Sequence, residues 1–182
     1  MKALRRTQFG NPILRQVARR LEPTEIRSER IQALIADLHF TLTSKKYGVG
    51  LAAPQVGHSL ALSVINIQPT DYRPEVTPLK LTVINPEIIQ TYGRRTQLWE
   101  GCLSFGASRD TPFAKVPRYV KIRVAYLDGQ GKPHEADFEG LPAHILQHEI
   151  DHLQGKLFVD RVVDTTTYVT MSEYRRLRHS QT

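Results

Sequence analysis

Between Gly140 and Gly155 one helix must satisfy two conflicting demands. Ile145, Leu146, Ile150 and Leu153 recur at helical spacing and require a core to pack against. The same stretch contains His148-Glu149-Ile150-Asp151-His152, two imidazoles and two carboxylates. Burying polar groups without partners is costly, so whatever encloses this helix must supply those partners. Histidines at i and i+4 share one helical face, about one turn apart. A single metal ion can satisfy both, and Glu149 beside them can take the proton of an activated water. The five-residue pattern also arises by chance on surface helices, so it needs support from elsewhere in the chain. Gly140 and Pro142 suit the start of the helix and Gly155 its end.

The rest of the chain predicts an α+β protein. Antiparallel strands in small sheets are expected to surround a buried helix, in the C-terminal half, that carries the metal motif. Asn11-Pro12 predicts a short helix reaching about Arg20. Ile31, Leu34, Ile35, Leu38 and Leu42 predict an amphipathic helix over about 24–44. Strands are expected at 60–67, 81–84 and 87–92, and a hairpin runs from 119–126 through Asp128-Gly129-Gln130-Gly131 to 134–139. With 182 residues and no repeat or linker, one domain over 1–182 is the simple reading. Its tail, 165–182, can form a last helix over about Thr166 to Arg178 with a basic end.

Composition removes several classes. Hydrophobic residues make up 40% and charged residues 24%, ordinary for a globular protein. No apolar run is long enough to span a bilayer, and no apolar stretch follows the basic start Met1-Lys2-Ala3-Leu4-Arg5-Arg6 to make a secretory signal. The only cysteine, Cys102, cannot form an intramolecular disulfide, which fits a reducing, cytoplasmic setting. A net charge of +7 favours acidic partners such as RNA or a ribosome surface, though no RNA-binding motif stands out.

A catalytic tetrahedral site needs a third protein ligand. Glu173 lies where thermolysin-like peptidases place a glutamate, although Leu177 stands where those enzymes continue with aspartate. Cys102, in Glu100-Gly101-Cys102-Leu103-Ser104, would bind a borderline metal as thiolate. Each also has a plain structural reading, as an exposed helix charge or a small buried hydrophobe. His39, His58, His134 and His179 are isolated. His144 shares the face of His148 and is expected to line the neighbouring pocket.

Three ordered motifs carry a resemblance: Gly48-Val49-Gly50-Leu51-Ala52-Ala53-Pro54-Gln55, then Glu100-Gly101-Cys102-Leu103-Ser104, then Gln147-His148-Glu149-Ile150-Asp151-His152-Leu153-Gln154-Gly155. With Gly10-Asn11-Pro12-Ile13-Leu14-Arg15, Val116-Pro117-Arg118 and Leu157-Phe158-Val159-Asp160-Arg161, they resemble the peptide deformylase family over about residues 8–161. The resemblance implies one divalent metal per chain, held by Cys102, His148 and His152. Fe2+ is the expected ion, with Zn2+, Ni2+ or Co2+ as substitutes. It implies that Glu149 is the proton shuttle, and that the Gln55 amide and Leu103 N–H receive the oxyanion, each worth roughly 2.7–4 kcal/mol. It implies a substrate groove formed by Gly48, Val49, Gly50, Glu100, Gly101, His144 and Ile145, with Arg118 and Asp151 in support. The implied substrate is the formyl-methionyl end of a nascent peptide, with transient ribosome contact and no membrane partner.

One departure stands out. Phe105-Gly106 replace the family's hydrophobic residue and proline, and the run to Val116 is longer than usual. The rival readings are an endopeptidase using Glu173 and a basic ribosome- or RNA-binding protein with an inactive site.

Overall fold

The computed structural model describes residues 1–44, 48–70, 74–106 and 108–179. A 3-10 turn at Pro12–Arg15 is followed by α1 (Pro23–Ile26), α2 (Glu29–Thr43), β1 (Gly50–Ala52), β2 (Leu62–Ile67), β3 (Leu79–Gly101) and β4 (Pro112–Leu127). Then come β5 (Pro133–Glu139), α3 (Leu141–Leu153), β6 (Val169–Thr170) and α4 (Met171–His179). The strands form one antiparallel six-stranded sheet in the order β1-β2-β3-β4-β5, with β6 on the start of β4. The α+β expectation holds, with the strands joined in one bent sheet.

β2 explains the layering. Its alternate side chains face opposite ways. Leu62 and Val64 pack against Leu34, Leu38 and Leu42 of α2, while Ile65 and Ile67 pack against Ala143, Leu146 and Ile150 of α3. A strand buried on both faces reads as a nearly continuous apolar run, as 60–67 does apart from Ser63 and Asn66. α3 is thereby enclosed, and most of its polar residues go into the interior with it.

The boundaries differ from expectation in four places. The helix expected to reach Arg20 ends at Arg15. Beyond it the chain is drawn out, because Ala18 N–H donates to Leu153 O and Arg19 N–H to Ser59 O. The helix expected over 24–44 is two helices, since Ser28 turns extended and its hydroxyl caps the Ile31 N–H. The expected strands 81–84 and 87–92 are parts of one strand, β3. Asn85-Pro86 is not a break: register shifts beside it and at two further points bend the strand and carry it on to Gly101. The tail helix starts at Met171, after a 3-10 turn and β6. Residues 180–182 of the tail, and Ala107 of the altered loop, lie outside the described residues.

Asn85 is the tie point of this arrangement. It is buried at φ 51°, a left-handed conformation. Its Oδ1 accepts from Leu21 N–H (2.9 Å) and its Nδ2 donates to Leu21 O (2.8 Å). Asn85→Ala loses both buried bonds and sits poorly at positive φ. It should cost roughly 2–4 kcal/mol in urea unfolding, against less than about 1 kcal/mol for an exposed substitution such as Glu29→Ala.

Candidate metal centre and active site

Three elements converge on one buried point. β3 ends in Glu100-Gly101 and hands the chain to Cys102. α3 brings His148, Glu149 and His152. Gln55 comes from the 3-10 turn that follows β1. One ligand atom each from Cys102, His148 and His152 lie within 4.8 Å of one another, and Cys102 Sγ is 3.3 Å from His152 Nε2. Bonds of about 2.3 Å to sulfur and 2.0–2.1 Å to nitrogen place tetrahedral donors roughly 3.5 Å apart, so this donor set fits a zinc-sized ion. Glu173 is elsewhere: on exposed α4 it pairs with Arg176 at 2.8 Å. The third-ligand question therefore goes to Cys102 on geometry.

The histidine His148 is held from behind. Its Nδ1 bonds Glu100 Oε2 at 2.8 Å, which leaves Nε2 for the cluster. Glu100 is 4% exposed and also takes Arg118 Nε (2.6 Å), Arg118 Nη2 (3.1 Å) and His144 Nε2 (2.8 Å). Burial alone would raise the Glu100 carboxyl. The bonds from His144, His148 and Arg118 outweigh it and hold the group well below the ordinary range. Burial likewise disfavours charge on His148, yet Cys102 and Glu100 push it well above the usual imidazole value. His152 is held well below it by burial, with the nearby charge of His148 adding to the fall.

Glu149 is placed differently. Burial pushes its carboxyl up to about 7, with Glu100 adding to the rise and His148 opposing it. Its Oε2 is buried with no hydrogen-bond partner among the described residues. A carboxyl tuned near neutrality, with one oxygen open, suits proton transfer. Gly50 makes room for it: a Cβ there would lie 2.2 Å from Glu149 Oε1.

Gln55 is 1% exposed and fixed at both ends. Its Oε1 accepts from Ala52 N–H (2.8 Å), which turns Nε2 toward Cys102 Sγ (3.4 Å) and Ser104 Oγ (3.3 Å). Leu103, in the 3-10 turn after Cys102, has its carbonyl held by Arg6 Nη1 at 2.8 Å. The N-terminal segment ties both loops together, with Thr7 N–H on Gln55 O and Phe9 N–H on Ser104 O, each 2.7 Å. Arg6 carries no motif signal, so sequence reasoning passes over it; Ser104 closes the Glu100–Ser104 motif, but its contact with Gln55 is visible only in the structure.

The expected groove residues divide into two groups. Gly48, Val49 and Gly50 lead into β1, and no further strand pairs beyond β1 among the described residues. Glu100 and His144 bond each other behind His148, and Ile145 packs in the core under the sheet. Gly101 lies under the Phe113 ring, where a Cβ would approach to 2.5 Å. Arg118 and Asp151 are joined at 2.6 Å below Glu100. In the altered loop Gly106 adopts φ 109°, which proline cannot reach. Phe105 stacks on Phe9 at 4.4 Å and meets Phe158 edge-on at 5.1 Å.

Two histidines and a cysteine beside a raised carboxyl, on a buried helix packed under an antiparallel sheet, define a metallohydrolase type of site. The chain belongs to the polypeptide deformylase family, whose model matches residues 4–168. It is 39% identical over 171 residues to peptide deformylase 2 of Nostoc sp., covering 93% of this chain and 92% of that one. It is 43% identical over 159 residues to the peptide deformylase of Thermomicrobium roseum, covering 87% and 85%. The fold matches the Met-Ala-Ser-bound crystal structure of class I type b peptide deformylase from Acinetobacter baumannii with a TM-score of 0.80 and 34% identity, over 88% of this chain and 98% of that one.

The Glu149 carboxyl sets a pH dependence for the metal-free protein. It titrates at about 7 when folded against 4.5 when free, so the folded state keeps the proton longer. This group's contribution to stability therefore falls as pH rises from 4.5 toward 7 and is flat beyond. In metal-free protein Glu149→Gln removes that fall. Urea unfolding should find it equal to wild type near pH 4.5 and more stable by up to about 3 kcal/mol at pH 8.

Proposed function

We propose that this chain, acting as one catalytic domain, hydrolyses the formamide of N-formyl-methionyl peptides and releases formate. The observation that carries this reading is the meeting of Cys102, His148 and His152 with Glu149 and Gln55 beside the open edge of β1. A peptide can add to that edge as a strand, its main chain hydrogen-bonded along Gly48–Gly50. Its formyl end then lies toward the metal centre. The Acinetobacter relative has Met-Ala-Ser bound, and a peptide beginning with methionine is the occupant proposed here.

Cys102, His148 and His152 would hold one divalent cation, which as a Lewis acid polarises the carbonyl and lowers the pKa of water. The other steps belong to the chain. Glu149 takes the proton of the attacking water and delivers it to the amine nitrogen as the C–N bond breaks. The Gln55 Nε2 amide and the Leu103 N–H donate to the oxygen that gains charge. Glu100 keeps the His148 ring oriented, and Arg118 with Asp151 holds Glu100. Ferrous iron is the proposed native ion, with zinc, nickel or cobalt as replacements. The basic surface supports brief contact with ribosomes, where such substrates emerge, in a cytoplasmic setting. No described helix is long and apolar enough to cross a membrane.

Formate release from a formyl-Met peptide by Fe2+-, Ni2+- or Co2+-loaded protein tests the reading directly. Glu149→Ala should lose at least about 100-fold in kcat. Gly50→Ala, which drives a methyl group into Glu149, should lose at least about tenfold while remaining folded. Absence of release from loaded wild-type protein would exclude the reading. Cys102→Ser should abolish tight metal binding and Glu173→Ala should leave it unchanged; the reverse pattern would restore the endopeptidase alternative.

A further inference from the structure

The ion pairs behind the metal centre do not stop at Glu100. Arg118 grips Glu100 with Nε and Nη2 and reaches Asp151 Oδ2 with Nη1 at 2.6 Å. Asp151 is then gripped from its other side by Arg161, Nη2 to Oδ1 at 2.6 Å and Nε to Oδ2 at 3.1 Å. Charges alternate along the row Arg161, Asp151, Arg118, Glu100, and the row ends on His148 Nδ1. The inner three are almost fully buried, whereas the Arg161 side chain is 35% exposed. It lies in the wall of a separate cleft of about 300 Å³ with Thr91, Arg95, Tyr119 and Asp160. Arg161 comes from the 3-10 turn Phe158–Arg161, outside all three motifs that hold the reacting groups.

We infer that Arg161 is a positioning residue for the metal centre, acting through Asp151 and Arg118 on Glu100 and so on His148. This rests on the proposal that His148 is a metal ligand. Arg118 serves two buried carboxylates with one guanidinium. While Arg161 satisfies Asp151, Arg118 can give both its Nε and Nη2 to Glu100 in the two-pronged geometry that fixes a carboxylate plane. Without Arg161, Asp151 is a buried anion with half its partners, and it competes for Arg118. The Glu100 plane then loosens, and with it the His148 ring. Partners behind metal ligands typically tune metal affinity about 10–100-fold. The predicted direction is diagnostic: simple Coulomb repulsion says that deleting a positive charge near a cation site should tighten metal binding. Positioning says that binding should weaken.

The test uses metal-free full-length protein titrated with Co2+ against a competing chelator, following the visible absorption of the cysteine-ligated ion. Arg161→Ala should bind Co2+ about tenfold more weakly than wild type, with a changed absorption envelope. Arg161→Lys keeps the charge but not the two-pronged grip, and should fall between the two. In an Asp151→Asn background, adding Arg161→Ala should change affinity less than about twofold, because the path is already cut. Arg123→Ala, which breaks the exposed 2.7 Å pair with Asp137, should leave affinity unchanged. Affinity is read on protein shown to be folded by circular dichroism. Should Arg161→Ala not fold, Arg161→Gln and Arg161→Lys must still weaken binding. Unchanged or tighter Co2+ binding by the folded variants would overturn the inference. Failure of wild-type protein to bind one Co2+ per chain would instead overturn the metal reading on which it rests.

Discussion

The Glu100 carboxylate lies between Arg118 and two imidazoles with almost no access to water. A lone charge so placed would be strongly disfavoured, and burial by itself would protonate it. It remains charged because every side is satisfied: guanidinium donors below, His144 to one oxygen and His148 to the other. That requirement couples three elements, two neighbouring strands and a helix that follows them. β3 must run on past its bulges to deliver Glu100, β4 must place Arg118 beside it, and α3 must present His144 and His148 on one face. Loss of any partner leaves a buried charge exposed to the full cost of dehydration, on the order of 3–5 kcal/mol. The pair is thus less a source of net stability than a constraint that fixes how strand and helix meet.

The rest of the site follows from that meeting. Once α3 is anchored through Glu100, the next residue along the helix, Glu149, falls against Gly50 at the edge of the sheet. The two carboxylates then differ by environment. Glu100 is surrounded by donors and stays ionised, while Glu149 is buried with few partners and is raised to about 7. One carboxylate orients the His148 ring and, in the proposed reaction, the other exchanges protons, although both belong to the same small cluster. The N-terminal segment supplies the outer brace by joining the Gln55 loop to the Leu103 loop.

Much of this was legible in the residues. β2, part of β3, the β4–β5 hairpin, the amphipathic second helix and α3 follow from periodicity, whereas the short strands β1 and β6 do not, and the three motifs hold the candidate reacting groups in order. What stayed hidden has physical causes. Local spacing could not choose between Cys102 and Glu173, because Cys102 arrives just past the end of β3 and only tertiary structure brings it near the two histidines. The i, i+4 row placed His144 on the face of His148 but could not show that its ring bonds Glu100. Asn85-Pro86 reads as a strand break because proline lacks a donor. Here it sits at a bulge, and Asn85 is held at positive φ by two bonds to Leu21. Residues 16–21 are extended because their backbone partners come from Leu153 and Ser59, which no local pattern reveals. Arg161 looks like an ordinary charge at the end of a turn until its carboxylate partner is seen.

The central claim is that one metal ion is held by the sulfur of Cys102 and the nitrogens of His148 and His152. X-ray absorption on anaerobically prepared, Zn2+-loaded protein measures that shell directly. The account predicts one sulfur at about 2.3 Å with nitrogen and oxygen neighbours at about 2.0–2.2 Å, and loss of the sulfur shell in Cys102→Ser. A shell of nitrogen and oxygen alone in the wild-type protein would contradict it.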